Sequence, residues 1–195
     1  MQLTVKGKQL EVGEALRGHV ADSLAAVLDK YFGDAIEATV ILSREAHLYR
    51  AHISAHIGRG IHAEGAAAAD APYPAFDAAV GHLAKRLRRH KRWLRDHHHR
   101  QPVETEPAQQ YVLAAPGEDA VEGAAAAVQD GAPAVIAEMT AEVPTLSVSE
   151  AVLRLDLADS PALLFRNRAH GGLNMVYRRP DGNVGWVDPR GNRPS

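Results

Sequence analysis

The sequence predicts an α+β protein in two units. The first is an N-terminal β-α-β-β-β-α domain with two helices on one face of a four-stranded sheet, and the second is a small, mostly β C-terminal domain with one short helix. Three observations predict this. Short runs of alternating apolar residues and two long runs with apolar residues three or four apart fill the first hundred positions. Charge divides the chain into sharply different segments. Gly- and Pro-containing turns then separate short alternating runs near the C-terminus.

Leu3-Thr4-Val5-Lys6 alternates as a strand, and Leu16, Val20, Leu24, Val27, Leu28 and Tyr31 recur at helical spacing over about 13–32. Gly33 stands where a left-handed C-terminal cap is expected. Ile36, Ala38, Val40 and Leu42 then alternate with polar or outward residues, and Ser43 to His47 turns the chain into a second alternating run. In that run Ala51, Ile53, Ala55 and Ile57 point one way, while Arg50, His52, Ser54 and His56 point to a wet face. Gly58-Arg59-Gly60 makes the next turn, a weaker strand covers Ile61 to about Ala67, and Pro72 can open the last helix of the domain.

That helix can be checked by rotation, since each residue advances about 100°. Phe76, Val80, Leu83, Leu87 and Leu94 fall within roughly 40° of their mean direction. Lys85, Arg88, Arg89, Arg92 and Arg95 lie on the opposite side. From Gln101 the periodicity dissolves into Pro, Gly and an Ala run, which predicts a flexible acidic tether over 101–132 between domains at 1–100 and 133–195. Order resumes with a strand near Ala134 to Glu142. Ser147 or Ser149 can N-cap a helix through about Leu157, and strands follow at Leu163–Arg166, Leu173–Tyr177 and Val184–Val187.

The chain has 195 residues, 46% of them hydrophobic, and no cysteine, which excludes disulfides, thiolate metal sites and cysteine nucleophiles. No apolar run approaches the roughly 18 to 20 residues of a membrane span, and Met1 leads straight into a strand pattern, so a cytoplasmic protein with no membrane partner is expected. A net charge of −2 conceals the local fields. Residues 82–100 carry eight Lys or Arg against Asp96 alone, while 101–142 carry eight acids and no Lys or Arg.

A solvated helix face normally mixes signs to relieve repulsion. The concentrated cation therefore points to a polyanion, with Lys85, Arg86, Arg88, Arg89, Lys91, Arg92 and Arg95 as candidate phosphate contacts and Arg50 as a further one on the wet sheet face. Trp93 could stack on a base, although a partly buried flank of the helix is at least as good a role.

Eleven histidines, including His97-His98-His99, do not make a metal site, because consecutive residues at a helix end do not converge as ligands. There is no Gly-rich phosphate loop, nucleophile elbow or His-Glu-x-x-His spacing, so neither catalysis, a cofactor nor a small-molecule substrate is expected. The C-terminal module is near the lower size limit for independent stability. Its strands carry apolar side chains on both faces, which makes self-association the simplest cover. Leu164, Phe165, Leu173, Met175, Val176, Tyr177 and Trp186 are the candidates for that contact.

Particular stretches now carry a resemblance. They are Val5-Lys6-Gly7-Lys8, Lys30-Tyr31-Phe32, Ser43-Arg44-Glu45 and Lys85-Arg86-Leu87-Arg88-Arg89 in the first unit. In the second they are Ser149-Glu150-Ala151, Phe165-Arg166-Asn167, Asn174-Met175-Val176-Tyr177-Arg178-Arg179-Pro180-Asp181-Gly182-Asn183 and Gly185-Trp186-Val187-Asp188-Pro189. The chain resembles the long-form bacterial ribosome hibernation promoting factors, the ribosome-associated translation inhibitor family, over both domains but not the expected tether.

The resemblance implies an N-terminal domain that occupies the decoding region of the small ribosomal subunit and stops translation by occlusion. It also implies a tail that pairs with its copy to join two ribosomes under starvation or in stationary phase. A general RNA-binding module of the double-stranded-RNA or RNA-chaperone type is the runner-up that the same element order and basic helix could serve.

Overall fold

The computed structural model of the chain describes residues 2–32, 35–57, 61–96, 103–114 and 134–189. Gly33, Gly58-Arg59-Gly60, the His97–Arg100 segment and residues 115–133, all used in the reading above, lie outside them.

The N-terminal unit contains β1 (Gln2–Lys8), α1 (Glu14–Tyr31), β2 (Ala35–Glu45), β3 (Leu48–Ile57), β4 (Ile61–Ala69) and α2 (Pro72–Asp96), in the predicted order. The sheet runs β1-β2-β3-β4. β1 is parallel to β2, with Val5 opposite Val40, so the connection must cross over, and α1 supplies the crossover. The other pairs are antiparallel, with Ile53 opposite Val40 and Gly65 opposite Ile53. Leu16, Val20, Leu24 and Leu28 of α1 and Phe76, Val80, Leu83 and Leu87 of α2 are buried against Val40, Leu42, Ile53 and Ala55 on one sheet face. At about 2 kcal/mol per fully buried large apolar side chain, this two-helix stripe dominates the stability of the unit.

Small residues in β4 set how closely α2 approaches. A Cβ on Gly65 would sit 2.6 Å from the Ala79 carbonyl oxygen and 2.9 Å from Leu83 Cβ, so only glycine admits the helix at this distance. The strand runs on through Ala66–Ala69, past the predicted end near Ala67, because its alanines pair in register with Tyr49–His52 of β3.

The C-terminal unit is a five-stranded sheet in the order β5-β6-β7-β8-β9. Its elements are β5 (Thr105–Leu113), β6 (Val135–Leu146), α3 (Val148–Leu157), β7 (Ala162–Asn167), β8 (Leu173–Arg178) and β9 (Val184–Val187). Ser147 proves to be the N-cap. Its hydroxyl accepts from the Glu150 N–H at 3.3 Å, and Glu150 Oε2 accepts from the Ser147 N–H at 2.7 Å, a reciprocal box that needs an acid three residues on. Leu146, Ala151, Leu155, Phe165 and Val176 form the core between α3 and the sheet.

Part of the segment expected as a tether, Thr105–Leu113, is a strand. It pairs along its whole length with β6, Ala108 opposite Ala141 and Gln110 opposite Met139. Pro107 and two glutamines hide this strand from a pattern search, yet an edge strand tolerates proline because one side of it needs no ladder bond. The Ala114 N–H donates to the Ala134 carbonyl at 2.8 Å, which continues the β5–β6 pairing.

Candidate nucleic-acid interface

Helix geometry sorts the cations of α2. Lys85, Arg88, Arg92 and Arg95 are exposed, and Lys85, Arg88 and Arg92 form no ion pair among the described residues. Positions 85 to 95 on one face make a stripe about 15 Å long at 1.5 Å per residue. The opposite side of the same helix is the buried Phe76–Leu87 stripe, so the element that closes the core also presents the charge. Arg89 and Lys91 are exposed but engaged, Arg89 with Asp156 of α3 and Lys91 through its ammonium to the Lys30 carbonyl at 2.9 Å.

Arg86 has a structural role as well. Its side chain is only 18% exposed, its Nη1 donates to the Glu64 carbonyl of β4 at 2.6 Å, and its Nη2 lies 2.5 Å from Asp159. The guanidinium therefore satisfies an edge carbonyl of the first sheet and binds the second unit at once. The structure does not bring Arg50 to this stripe. It lies on the sheet face turned away from the helices, 3.5 Å from Glu45. Further along the same face the His56 and His62 rings stack at 4.7 Å, and His52 lies within 3.2 Å of Glu64. Burial, followed by the charge of His56, lowers the pKa of His62.

Trp93 is half-buried beside Arg89 and lines an open groove of about 600 Å³, facing Val148, Val152 and Asp156 of α3 and Val184 of β9. One turn before it, His90 is buried, with its ring 5.7 Å from that of Phe32. Desolvation, with the charge of Arg154 behind it, pushes the His90 pKa down to about 4. No group of three or more His, Asp or Glu among the described residues could hold a metal ion. No helix of the described residues is long and apolar enough to cross a membrane.

Strand alternation divides the residues expected to pair two copies. Phe165 and Val176 are fully buried core residues under α3. Trp186 is on the same side, its indole N–H donating to Asn174 Oδ1 at 2.9 Å, although 52% of its surface remains open. Leu164, Leu173 and Met175 are exposed on the other face, with Leu164 opposite Met175 and Met175 opposite Val187. Tyr177 joins them half-buried, its ring lying where a Cβ on Gly185 would be. Val187, exposed on this face, was absent from the sequence-based set, because a four-residue strand gives too little pattern to assign a side.

The motif residues of the C-terminal unit find a structural use. Asn167 Nδ2 donates to Asn174 Oδ1 at 2.9 Å, and Asn174 Nδ2 donates to Asp188 Oδ1 at 3.1 Å. This buried network ties β7, β8 and the end of β9 together and satisfies amides that would otherwise be costly to bury. Gly171, with φ of 70°, makes the turn between β7 and β8 that side chains other than glycine resist.

Comparison with known proteins adds an independent line. Residues 3–95 match the family model described as Sigma 54 modulation protein / S30EA ribosomal protein, and residues 130–185 match the model of its C terminus. A protein of Bradyrhizobium diazoefficiens named ribosome hibernation promotion factor is 40% identical, covering 99% of this chain and 97% of its own length. A protein of the same name from Rhizobium meliloti is 36% identical over 96% of this chain and 97% of its own length. Among solved structures, the N-terminal domain of Thermus thermophilus Protein Y aligns with a TM-score of 0.42 at 29% identity, covering 46% of this chain and 99% of that one. β5 falls between the two matched regions.

Proposed function

Because the chain belongs to the Sigma 54 modulation protein / S30EA ribosomal protein family, in its two-domain long form, we propose that it is a cytoplasmic, non-enzymatic ribosome hibernation factor. Its N-terminal unit binds ribosomal RNA in the decoding region of the small subunit and blocks translation by occupying the path of messenger and transfer RNA. Its C-terminal unit pairs with a second copy and joins two ribosomes under starvation or in stationary phase.

The observation that carries the reading is the α2 stripe. Lys85, Arg88 and Arg92 stand exposed without acidic partners among the described residues, on a helix anchored by its buried side. A rigid row of cations suits phosphates, since each contact releases condensed counterions and needs no base-specific geometry. The pairing of copies is supported by the exposed row of Leu164, Leu173, Met175 and Val187, an apolar surface of the kind that marks interaction sites. The same face continues onto β6 through Met139 and Ala141.

Replacing Lys85, Arg88 and Arg92 together by Gln should weaken co-sedimentation with ribosomes. It should also flatten the log–log salt dependence by about 0.7 to 0.9 for each lost phosphate contact. An unchanged slope would remove α2 from the interface. Equal affinity for free duplex RNA and for intact ribosomes would favour a general RNA-binding module instead.

A further inference from the structure

We propose that the C-terminal end of α3 and the turn after it form an intramolecular acidic latch, holding the C-terminal unit against α2 through Asp156 and Asp159 and occupying arginines that RNA phosphates would otherwise take. The proposal rests on the reading of α2 as the RNA-facing helix and adds a closed state of the free protein. Its geometry has three parts. Arg89 Nη1 lies 2.5 Å from Asp156 Oδ2, and Arg86 Nη2 lies 2.5 Å from Asp159 Oδ1. Asp159 also receives Arg178 of β8 at 3.3 Å, so one carboxylate ties an arginine from each unit. Leu157, between the two acids in sequence, is buried in the apolar cluster of the N-terminal unit and not in that of its own.

The contact is adhesive yet incomplete. Leu157 supplies the apolar anchor, whereas the neighbouring groove of about 600 Å³ between Arg89, Trp93, Val148, Val152 and Val184 leaves part of the junction unfilled. The Arg89 side chain is 51% exposed, so its ion pair is screened by salt and weak in water. A row of phosphates meeting Lys85, Arg88 and Arg92 offers Arg86 and Arg89 the same kind of partner at higher charge density. RNA and α3 therefore compete for the two arginines, and the fraction of molecules in the open state divides the intrinsic affinity.

The test uses the full chain with Asp156→Asn and Asp159→Asn together. Asparagine keeps the shape of both side chains, and it tolerates the left-handed backbone of Asp159, whose φ is 46°. The native chain has no cysteine, so cysteines at exposed Glu37 and Gln110 can carry a donor and an acceptor dye for energy transfer across the junction. We expect the double substitution to lower the transfer, raise affinity for ribosomes about threefold or more, and steepen the salt slope by up to about 1.5, since two arginines no longer exchange a carboxylate for a phosphate.

Equal transfer in both proteins overturns the latch whatever the binding result. Lowered transfer with unchanged affinity and slope overturns the masking of the arginines. Failure of both proteins to bind ribosomes overturns the proposed function instead, and is read separately from the transfer.

Discussion

His90 shows what one buried titratable group does to the chain. Its Nδ1 has no hydrogen-bond partner among the described residues, and burial, with Arg154 adding to it, holds its pKa at about 4 against an ordinary 6.5. The unfolded chain therefore takes up a proton first as pH falls. Stability is undiminished above about pH 6.5, declines between 6.5 and 4, and levels off below the folded pKa, a total of roughly 3 kcal/mol. The urea midpoint should be lower at pH 5 than at pH 7, and His90→Met should flatten that difference. A pH dependence identical in the variant would show that His90 is not its source. Neighbouring residues diverge for the same rotational reason: Arg86 turns to the sheet edge and Asp159, while Lys85, 100° around the helix, faces solvent.

At the scale of elements, local signals fix ends more firmly than lengths. The choice between Ser147 and Ser149 as the start of α3 is decided by Glu150, which can reach back only to Ser147. Burial raises the Glu150 carboxyl, but the hydrogen bonds from Ser147 and the charge of Arg168 outweigh it and leave the pKa below its usual value. Ser147→Ala should cost about 1 kcal/mol, read as a lowered unfolding midpoint, and Ser149→Ala should fall within about 0.5 kcal/mol of wild type. Equal losses would mean that the cap does not hold α3. β5 makes the opposite point, since it owes its existence to hydrogen bonds with β6, across a sequence gap that no local pattern spans.

For the whole molecule, recruiting β5 into the C-terminal sheet leaves residues 97–104 as the connection between α2 and that sheet, at most about 28 Å when extended. The two units are therefore neighbours by connectivity as well as by the α2–α3 contact. The outer sheet face is left open while α3 contacts α2, so the proposed pairing of copies and the proposed latch call on different surfaces. Met175→Asp together with Leu164→Asp should convert a dimer to a monomer in analytical ultracentrifugation, because a charge on a desolvated apolar face costs several kcal/mol. A persistent dimer would remove the outer face from the interface.

The sequence by itself determined the element order of the first domain, the division of α2 into apolar and cationic sides, the three strands after α3 and the family resemblance. Those features are written in period, charge and turn residues within a few positions of one another. Only the tertiary structure decided which side of the C-terminal sheet is covered, which moved Phe165 and Val176 into the core and left Leu164, Leu173 and Met175 outside. It also made Thr105–Leu113 a strand and set Asp156 and Asp159 against Arg89 and Arg86. Each of these depends on a partner tens of residues away, and alternation in a strand says that two faces differ without saying which one a helix will cover.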